Sequence, residues 1–175
     1  MSHSEETRVT GELSGLQSTL RDLMPELLRY FGRRVPTRED AADCLGEAML
    51  VLWRRRESVP LDHDGARRYA YGVAAKVLQE SHRSRTRQSG LTARLIARHE
   101  RVSHNDLEQD ADGELWQALG VLRAVDRELI LLVAWEGFGV GEAGAILGLS
   151  EQAARARYSR ARARLRRVLT GSSSD

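Results

Sequence analysis

Gly141-Glu142-Ala143-Gly144-Ala145-Ile146-Leu147-Gly148-Leu149-Ser150-Glu151-Gln152-Ala153-Ala154-Arg155-Ala156-Arg157-Tyr158-Ser159-Arg160-Ala161-Arg162 is the most informative stretch of this 175-residue chain. A short helix over about 140–147 meets a longer one through the turn Gly148-Leu149-Ser150. Glycine at 148 permits the left-handed backbone that a tight helix–helix turn needs. Ser150 is placed to cap the second helix. Behind it, Ala154, Tyr158, Ala161, Leu165 and Val168 recur at gaps of four, three, four and three, which makes one apolar stripe. The opposite face carries Gln152, Arg155, Ser159, Arg162 and Arg166. Small residues at Ala143, Gly144 and Ala145 allow the two helices to approach closely. A helix-turn-helix with an arginine-rich second helix is the form that enters the major groove of DNA, where arginine pairs with guanine edges or phosphates. The bland reading of the same residues is a helical hairpin with a solvated basic face. Helix, turn and charge agree on the DNA reading.

Upstream of this unit, Leu115, Trp116, Leu119 and Leu122 form one helix face. Asp126 is expected to cap a helix running through Trp135, with Gly137 ending it in a left-handed turn. Together these helices give a domain over 114–170, with 171–175 as a disordered tail. A second apolar pattern starts at Leu16 and runs through Leu20, Leu23, Leu27, Leu28 and Phe31. Pro25 should break, kink or restart that helix. Thr37 reads as an N-cap, and Asp40 three positions on completes a capping box. The helix that follows, about 38–56, should bury Ala41, Leu45, Ala48, Leu52 and Trp53. After a loop over 57–64, Asp64 can cap a third helix over about 65–85 with Ala66, Tyr69, Val73, Val77 and Leu78 inside. These three helices give a first domain over 14–88, preceded by a polar, aperiodic tail over 1–13.

Residues 89–113 differ from both. Their patterning is weak, at Leu91, Leu95 and Ile96 only, and Ser103 to Gly113 is polar and acidic, so they read as a linker with one loose helix. The expected fold class is therefore all-α, two small helical domains joined by a linker. Composition agrees. Leu, Ala and Arg make up 70 residues, while Val, Ile and Thr together make up 22, too few for a large sheet. The longest apolar run is the seven residues Leu129 to Trp135, so no membrane insertion is expected. The N-terminus lacks the basic start and apolar core of a secretory signal. Cys44 stands alone and cannot form an internal disulfide, which suits a reducing, cytoplasmic setting.

Net charge is only +2, yet it is segregated: −3 over 1–53, +7 over 54–101, −7 over 102–150 and +5 over 151–175. Lys76 is the single lysine, so 26 of the 27 basic residues are arginine. In the basic block, Arg54, Arg55 and Arg56 close one helix; Arg67, Arg68, Lys76, Arg83, Arg85 and Arg87 lie on or after the next. Tyr69 and Tyr71 are interleaved with them. Arginine neutralises phosphate, and an aromatic ring offers an unstacked base a surface. A triple arginine at a helix C-terminus also complements the helix dipole, and Tyr69 is equally explained as core.

At these residues the chain resembles a bacterial RNA polymerase sigma factor of the extracytoplasmic-function group. Arg38 to Glu47 with Leu52-Trp53, then Ala66 to Leu78, carry the likeness in the first domain. Val125 to Glu128, Trp135 to Phe138, and Ile146 to Arg162 carry it in the second. Four motifs occur in the family's order, covering about 16–88 and 114–169. The resemblance implies two DNA-reading domains that bind core RNA polymerase, on the clamp coiled coil of the largest subunit and on its flap. By position, Asp43, Glu47, Leu50 and Arg54 would face polymerase. Arg55, Arg56, His63, Arg67, Arg68, Tyr69, Lys76, Gln79 and Arg83 would meet the opened −10 strand. Ser150, Gln152, Ala153, Arg155, Ala156, Arg157, Ser159, Arg160 and Arg162 would read the duplex −35 element. The linker would thread the polymerase channels, its acidic part Asp106 to Glu114 either mimicking a nucleic-acid strand or merely solubilising. The family likeness also allows for an anti-sigma factor as partner, and places the protein on the nucleoid.

The chain departs from the family pattern at several of these positions. Gly46 stands where the family has glutamine, and Lys76 where it has asparagine, exchanging a base-reading amide for a point charge. Ala153, Ala154 and Ala156 replace Thr, Val and Ser, so two hydroxyls are gone and more of the −35 affinity must come from arginine and phosphate contacts. Two other classes compete. A helix-turn-helix repressor or activator without polymerase would need an effector pocket or dimerisation helix in the first domain. An enzyme would need chemistry that His63-Asp64, His99 and His104 do not supply. No spaced metal set, glycine-rich phosphate loop or nucleophile motif is present, so no cofactor and no metal site is expected. Cys44 reads as a small apolar filler.

Overall fold

The computed structural model describes residues 2–88 and 112–172, with side chains over 15–85 and 115–170. It divides the chain into two compact units, Met1–Gln88 and Ser89–Asp175. Among the described residues there are seven α-helices and no strand: α1 (Ser2–Gly32), α2 (Arg38–Arg54), α3 (His63–Gln88), α4 (Asp112–Gly120), α5 (Ala124–Ala134), α6 (Val140–Ile146) and α7 (Glu151–Ser172), plus one 3-10 turn at Arg56–Ser58. The expected loose helix at Leu91, Leu95 and Ile96, and the acidic segment from Asp106 as far as 111, lie outside the described residues; its last three residues, Asp112 to Glu114, open α4.

In the first unit, α1, α2 and α3 bury one core. Leu16, Leu20, Leu23, Leu27 and Phe31 all point inward from α1. Each such side chain contributes about 1.5–3 kcal/mol by leaving water. Two expectations fail here. Leu28 is exposed, while Tyr30 is fully buried. Pro25, expected to break, kink or restart the helix, neither breaks α1 nor opens a second helix; α1 continues through it, because packing on both sides of the proline outweighs one lost backbone bond. The helix also reaches back to Ser2, where an irregular tail was expected. A polar segment without proline can extend an established helix, since propagation costs little once a nucleus exists.

The capping box at α2 forms as expected. Asp40 N–H donates to Thr37 Oγ1 at 3.0 Å, and Thr37 N–H donates to Asp40 Oδ2 at 3.3 Å. The helix stops at Arg54 rather than 56, with Arg55 as its C-cap. Ala41, Cys44, Ala48 and Leu52 face inward, but Trp53 is exposed. Burial pushes the Cys44 thiol up from its ordinary value, against a hydrogen bond with Ser81. At α3 the cap is Asp62, not Asp64: Gly65 N–H donates to Asp62 Oδ1 at 2.7 Å.

The inner stripe of α3 is Ala66, Ala70, Tyr71, Val73, Ala74, Val77 and Leu78. Tyr71, and not Tyr69, is the core aromatic; its ring stands edge-on to Tyr30 at 5.3 Å. Tyr30 meets Phe31 in the same way at 5.3 Å.

In the second unit, Leu119, Leu122, Ile130, Leu131 and Ala161 make the core, flanked by Leu115, Trp116, Trp135, Tyr158 and Leu165. Trp116 and Trp135 pack edge-to-face at 5.3 Å. The helix α5 begins at Ala124, so Asp126 lies inside its first turn and is not its cap. Gly137 does adopt the left-handed conformation, at φ 75°.

Candidate nucleic-acid and polymerase interfaces

The helix-turn-helix is built from α6, the turn and α7. Gly148 has φ 71°, a conformation that other residues adopt only with strain. Ser150 Oγ accepts from the N–H of Ala153 at 3.2 Å and so starts α7. At Gly144 any side chain would collide with the Cβ of Ala154. The small residue at 144 therefore sets how closely α6 and α7 approach. Glu142 reaches back to accept from Gly139 N–H at 3.0 Å, which fixes the start of α6.

With Ala154 and Ala161 buried, the opposite face of α7 is solvated: Gln152, Arg155, Ala156, Ser159, Arg160, Arg162 and Arg166 are all exposed. Ala153 is half-buried. Arg155 is not extended freely; its Nη2 and Nε lie 2.6 and 3.1 Å from Glu151 Oε1, one turn back. This exposed pair contributes little to stability but holds the guanidinium over the start of the helix. Arg157 departs from the expected face. Its Nη1 lies 2.8 Å from Asp126 Oδ1 on α5, and both side chains are mostly covered.

Arg127, which sequence reasoning quoted only as part of a motif, has a structural task. Its guanidinium donates to the carbonyls of Leu119 at 2.9 Å, Leu122 at 3.2 Å and Gly120 at 3.4 Å. Leu119 and Gly120 close α4 and Leu122 lies in the turn after it, so one side chain ties the helix end to the start of α5.

On α3, Arg68, Gly72, Lys76, Gln79 and Arg83 recur at gaps of four, four, three and four, and so share one face. Arg68, Lys76, Gln79 and Arg83 are exposed, and Arg83 lies 4.0 Å from Glu80. His63 is exposed at the start of the helix, 3.6 Å from Asp64. Tyr69 is half-buried at the edge of the stripe.

Arg67 does not join them. Its Nε donates to Glu26 Oε2 on α1 at 2.8 Å, and its guanidinium stacks over Tyr71 at 5.1 Å. Burial works to lower its pKa, but the hydrogen bond and charge of Glu26 outweigh that and leave it raised. Tyr71, buried with its hydroxyl toward Glu26, offers no face to a base. Arg54 and Arg55 are exposed, while Arg56 is half-buried beside Trp53, 5.6 Å from the ring centre.

On α2, Asp43, Glu47, Leu50 and Arg54 recur at gaps of four, three and four and are all exposed, with Trp53 beside them. A helix face presenting two carboxylates next to an exposed leucine and tryptophan is a mixed polar and apolar surface suited to a protein partner. Among the described residues no group of three or more His, Cys, Asp or Glu side chains is placed to hold a metal ion. No described helix is long and apolar enough to cross a membrane.

Comparison with known proteins agrees with this anatomy. The family model for sigma-70, region 4, matches residues 112–165, which span α4 to most of α7. The RNA polymerase sigma-E factor of Streptomyces coelicolor is 31% identical over 166 residues, covering 94% of this chain and 92% of that protein. Among solved structures, the sigma factor RpoE of Bartonella quintana, in complex with the anti-sigma factor NepR, superposes with a TM-score of 0.67 at 20% identity, over 88% of this chain and 96% of that one. CnrH, in complex with the cytosolic domain of CnrY, gives 0.54 at 22% identity, over 95% and 87%. With its two all-helical units and its sequence likeness along nearly the whole length, the chain belongs to the extracytoplasmic-function group of RNA polymerase sigma factors.

Proposed function

We propose that this sigma factor docks on core RNA polymerase through the α2 face of Asp43, Glu47, Leu50 and Arg54 and directs initiation by reading two promoter elements. The exposed stripe of α3, with Arg68, Lys76, Gln79 and Arg83, meets the −10 strand once it is opened. The outer face of α7 reads the −35 duplex through Gln152, Arg155, Ala156, Ser159, Arg160 and Arg162.

The observation that carries this reading is the packing of α7. Its apolar stripe is spent on the domain core, its start is fixed by Gly148 and Ser150, and what remains outward is mainly arginine, glutamine and small residues, with Glu151 paired to Arg155. Arginine on such a face supplies both phosphate neutralisation and guanine contacts. The sigma family is not an enzyme class; the protein lends binding energy and strand capture, and phosphodiester chemistry stays with polymerase. RpoE of B. quintana was solved with an anti-sigma factor, which supports a regulatory partner of that kind here. Such a role places the protein on the nucleoid.

Run-off transcription with purified core polymerase on a pool of genomic promoters tests the proposal. Discrete transcripts should appear only when the chain is added. Tight binding to duplex promoter DNA without polymerase, and no added transcripts, would replace it with a helix-turn-helix regulator.

A further inference from the structure

Arg157 is the one arginine in the first three turns of α7 that is partly covered rather than exposed. At about 100° per residue it lies about 140° round the helix from Gln152, and within about 60° of the buried Ala154 and Ala161. It lies about 160° from Arg155 and Ser159, at the margin of the outer face. It is anchored at 2.8 Å to Asp126, which projects from the first turn of α5. Elsewhere α7 is held by its apolar stripe, with Tyr158, Ala161 and Leu165 packed against Leu119, Leu122, Ile130 and Leu131, and Ala154 against Gly144 of α6. The Gly144–Ala154 approach sets the distance between α6 and α7, and the apolar contacts are non-directional. The Asp126–Arg157 pair adds a directional constraint on roll to them.

We propose that the Asp126–Arg157 pair is a positioning device for −35 recognition, which holds the roll of α7 so that Gln152, Arg155, Ala156 and Ser159 meet the duplex, and that Arg157 itself touches no DNA. The inference rests on the −35 reading of α7 given above. It assigns to Asp126, a carboxylate on a different helix, a part in promoter selectivity.

The two roles for Arg157 predict opposite signs for one substitution. If Arg157 contacts DNA, Asp126 competes with phosphate for it, and Asp126→Asn leaves binding unchanged or tightens it. If Arg157 positions α7, the isosteric Asp126→Asn frees the roll and weakens binding to the −35 duplex.

The experiment uses the full chain with core polymerase and the strongest template of the genomic run-off pool, intact and with its −35 element replaced. The ratio of the two yields measures −35 dependence, and a uniform loss of folded protein does not move it. For Asp126→Asn that ratio should fall by about five- to tenfold, the size of coupling typical of contacting charged residues. The exchanged pair Asp126→Arg with Arg157→Asp should recover the ratio to within about threefold of wild type, since the pair is re-formed with its ends reversed.

An unchanged or increased ratio in Asp126→Asn overturns the inference. So does an exchanged pair that melts like wild type without recovering the ratio. Should Asp126→Asn lose its cooperative melt, the exchanged pair decides alone. A wild-type ratio near one removes the −35 reading itself, which keeps the two failures distinct.

Discussion

Gly144→Ala is the substitution that most directly loads the geometry of the helix-turn-helix. A Cβ at 144 would lie closer than 3.0 Å to Ala154 Cβ, a separation that real carbon atoms essentially never show. Carbon pairs rest at about 3.5–4.0 Å, so α6 and α7 must part by about 1 Å. Ala154 has no χ angle by which to move aside, and the load falls on the two backbones. Overpacking of this kind costs about 1–3 kcal/mol. Replacing glycine by alanine in a helix returns about 1 kcal/mol through propensity. The rigidity of both partners puts the first figure toward its upper end, which leaves a net loss of about 1–2 kcal/mol.

For a unit of this size that is a fall in Tm of about 4–16 °C. It should be read by tryptophan emission in a Trp53→Phe background, where the two remaining tryptophans, Trp116 and Trp135, both pack against the second unit's core. The double variant Gly144→Ala with Ala154→Gly moves the methyl from one helix to the other. It should melt above the Gly144→Ala variant, although Ala154→Gly alone is destabilising by about 1 kcal/mol. A Gly144→Ala variant that melts at or above wild type would refute the close-approach argument. So would strict additivity in the double.

Glu47→Arg reverses the charge of an exposed α2 side chain and should abolish co-purification with core polymerase while leaving the melt within about 0.5 kcal/mol of wild type; unchanged co-purification counts against the docking face. Arg155→Ala should cut transcription from a −35-containing promoter by about tenfold, the loss of one good base or phosphate contact, and leave a −35-less template unaffected. Asp62→Ala should destabilise the first unit by about 1 kcal/mol through loss of the α3 cap, whereas Asp64→Ala should not; circular-dichroism melts compare the two. Cys44 has a folded pKa above its unfolded value, so the folded state favours the thiol. Its contribution is complete below the free-thiol value near about 8.5 and is lost as pH rises from there through the folded value. The Tm gap between wild type and Cys44→Ala should therefore narrow above about pH 8.5, and a gap that widens contradicts the burial argument.

What could be read from the chain was what local chemistry decides. Thr37 with Asp40, Ser150 ahead of α7, and glycines at 137 and 148 each act within three or four residues, so their roles survive into the structure. The apolar stripe of α7 was also legible, because its charged residues leave only one buried face. The stripe of α3 was not. Val73 and Val77 admit either Tyr69 or Tyr71 as the aromatic partner, and only the arrival of Tyr30 from α1 selects Tyr71.

Arg67 and Arg157 were counted with their exposed neighbours because their partners are remote. Glu26 is 41 residues away and Asp126 is 31, and no periodicity argument sees such a pair. Trp53 and Leu28 erred in the other direction: size and apolarity marked them as core, and the structure leaves both exposed. Trp53 lies beside the α2 face assigned to polymerase, where an exposed aromatic serves a partner better than it serves the monomer.

The role proposed for the protein is to give polymerase the capacity to find a start site and open it. Permanganate reactivity of thymines across the −10 region measures this most directly, on a promoter recovered by run-off, with core polymerase alone, with the chain alone, and with both together. Reactive thymines should appear only when both are present, and should fade when the exposed α3 residues Lys76 and Arg83 are replaced by alanine. Equal reactivity with core polymerase alone, or duplex opened by the chain in its absence, would contradict the account.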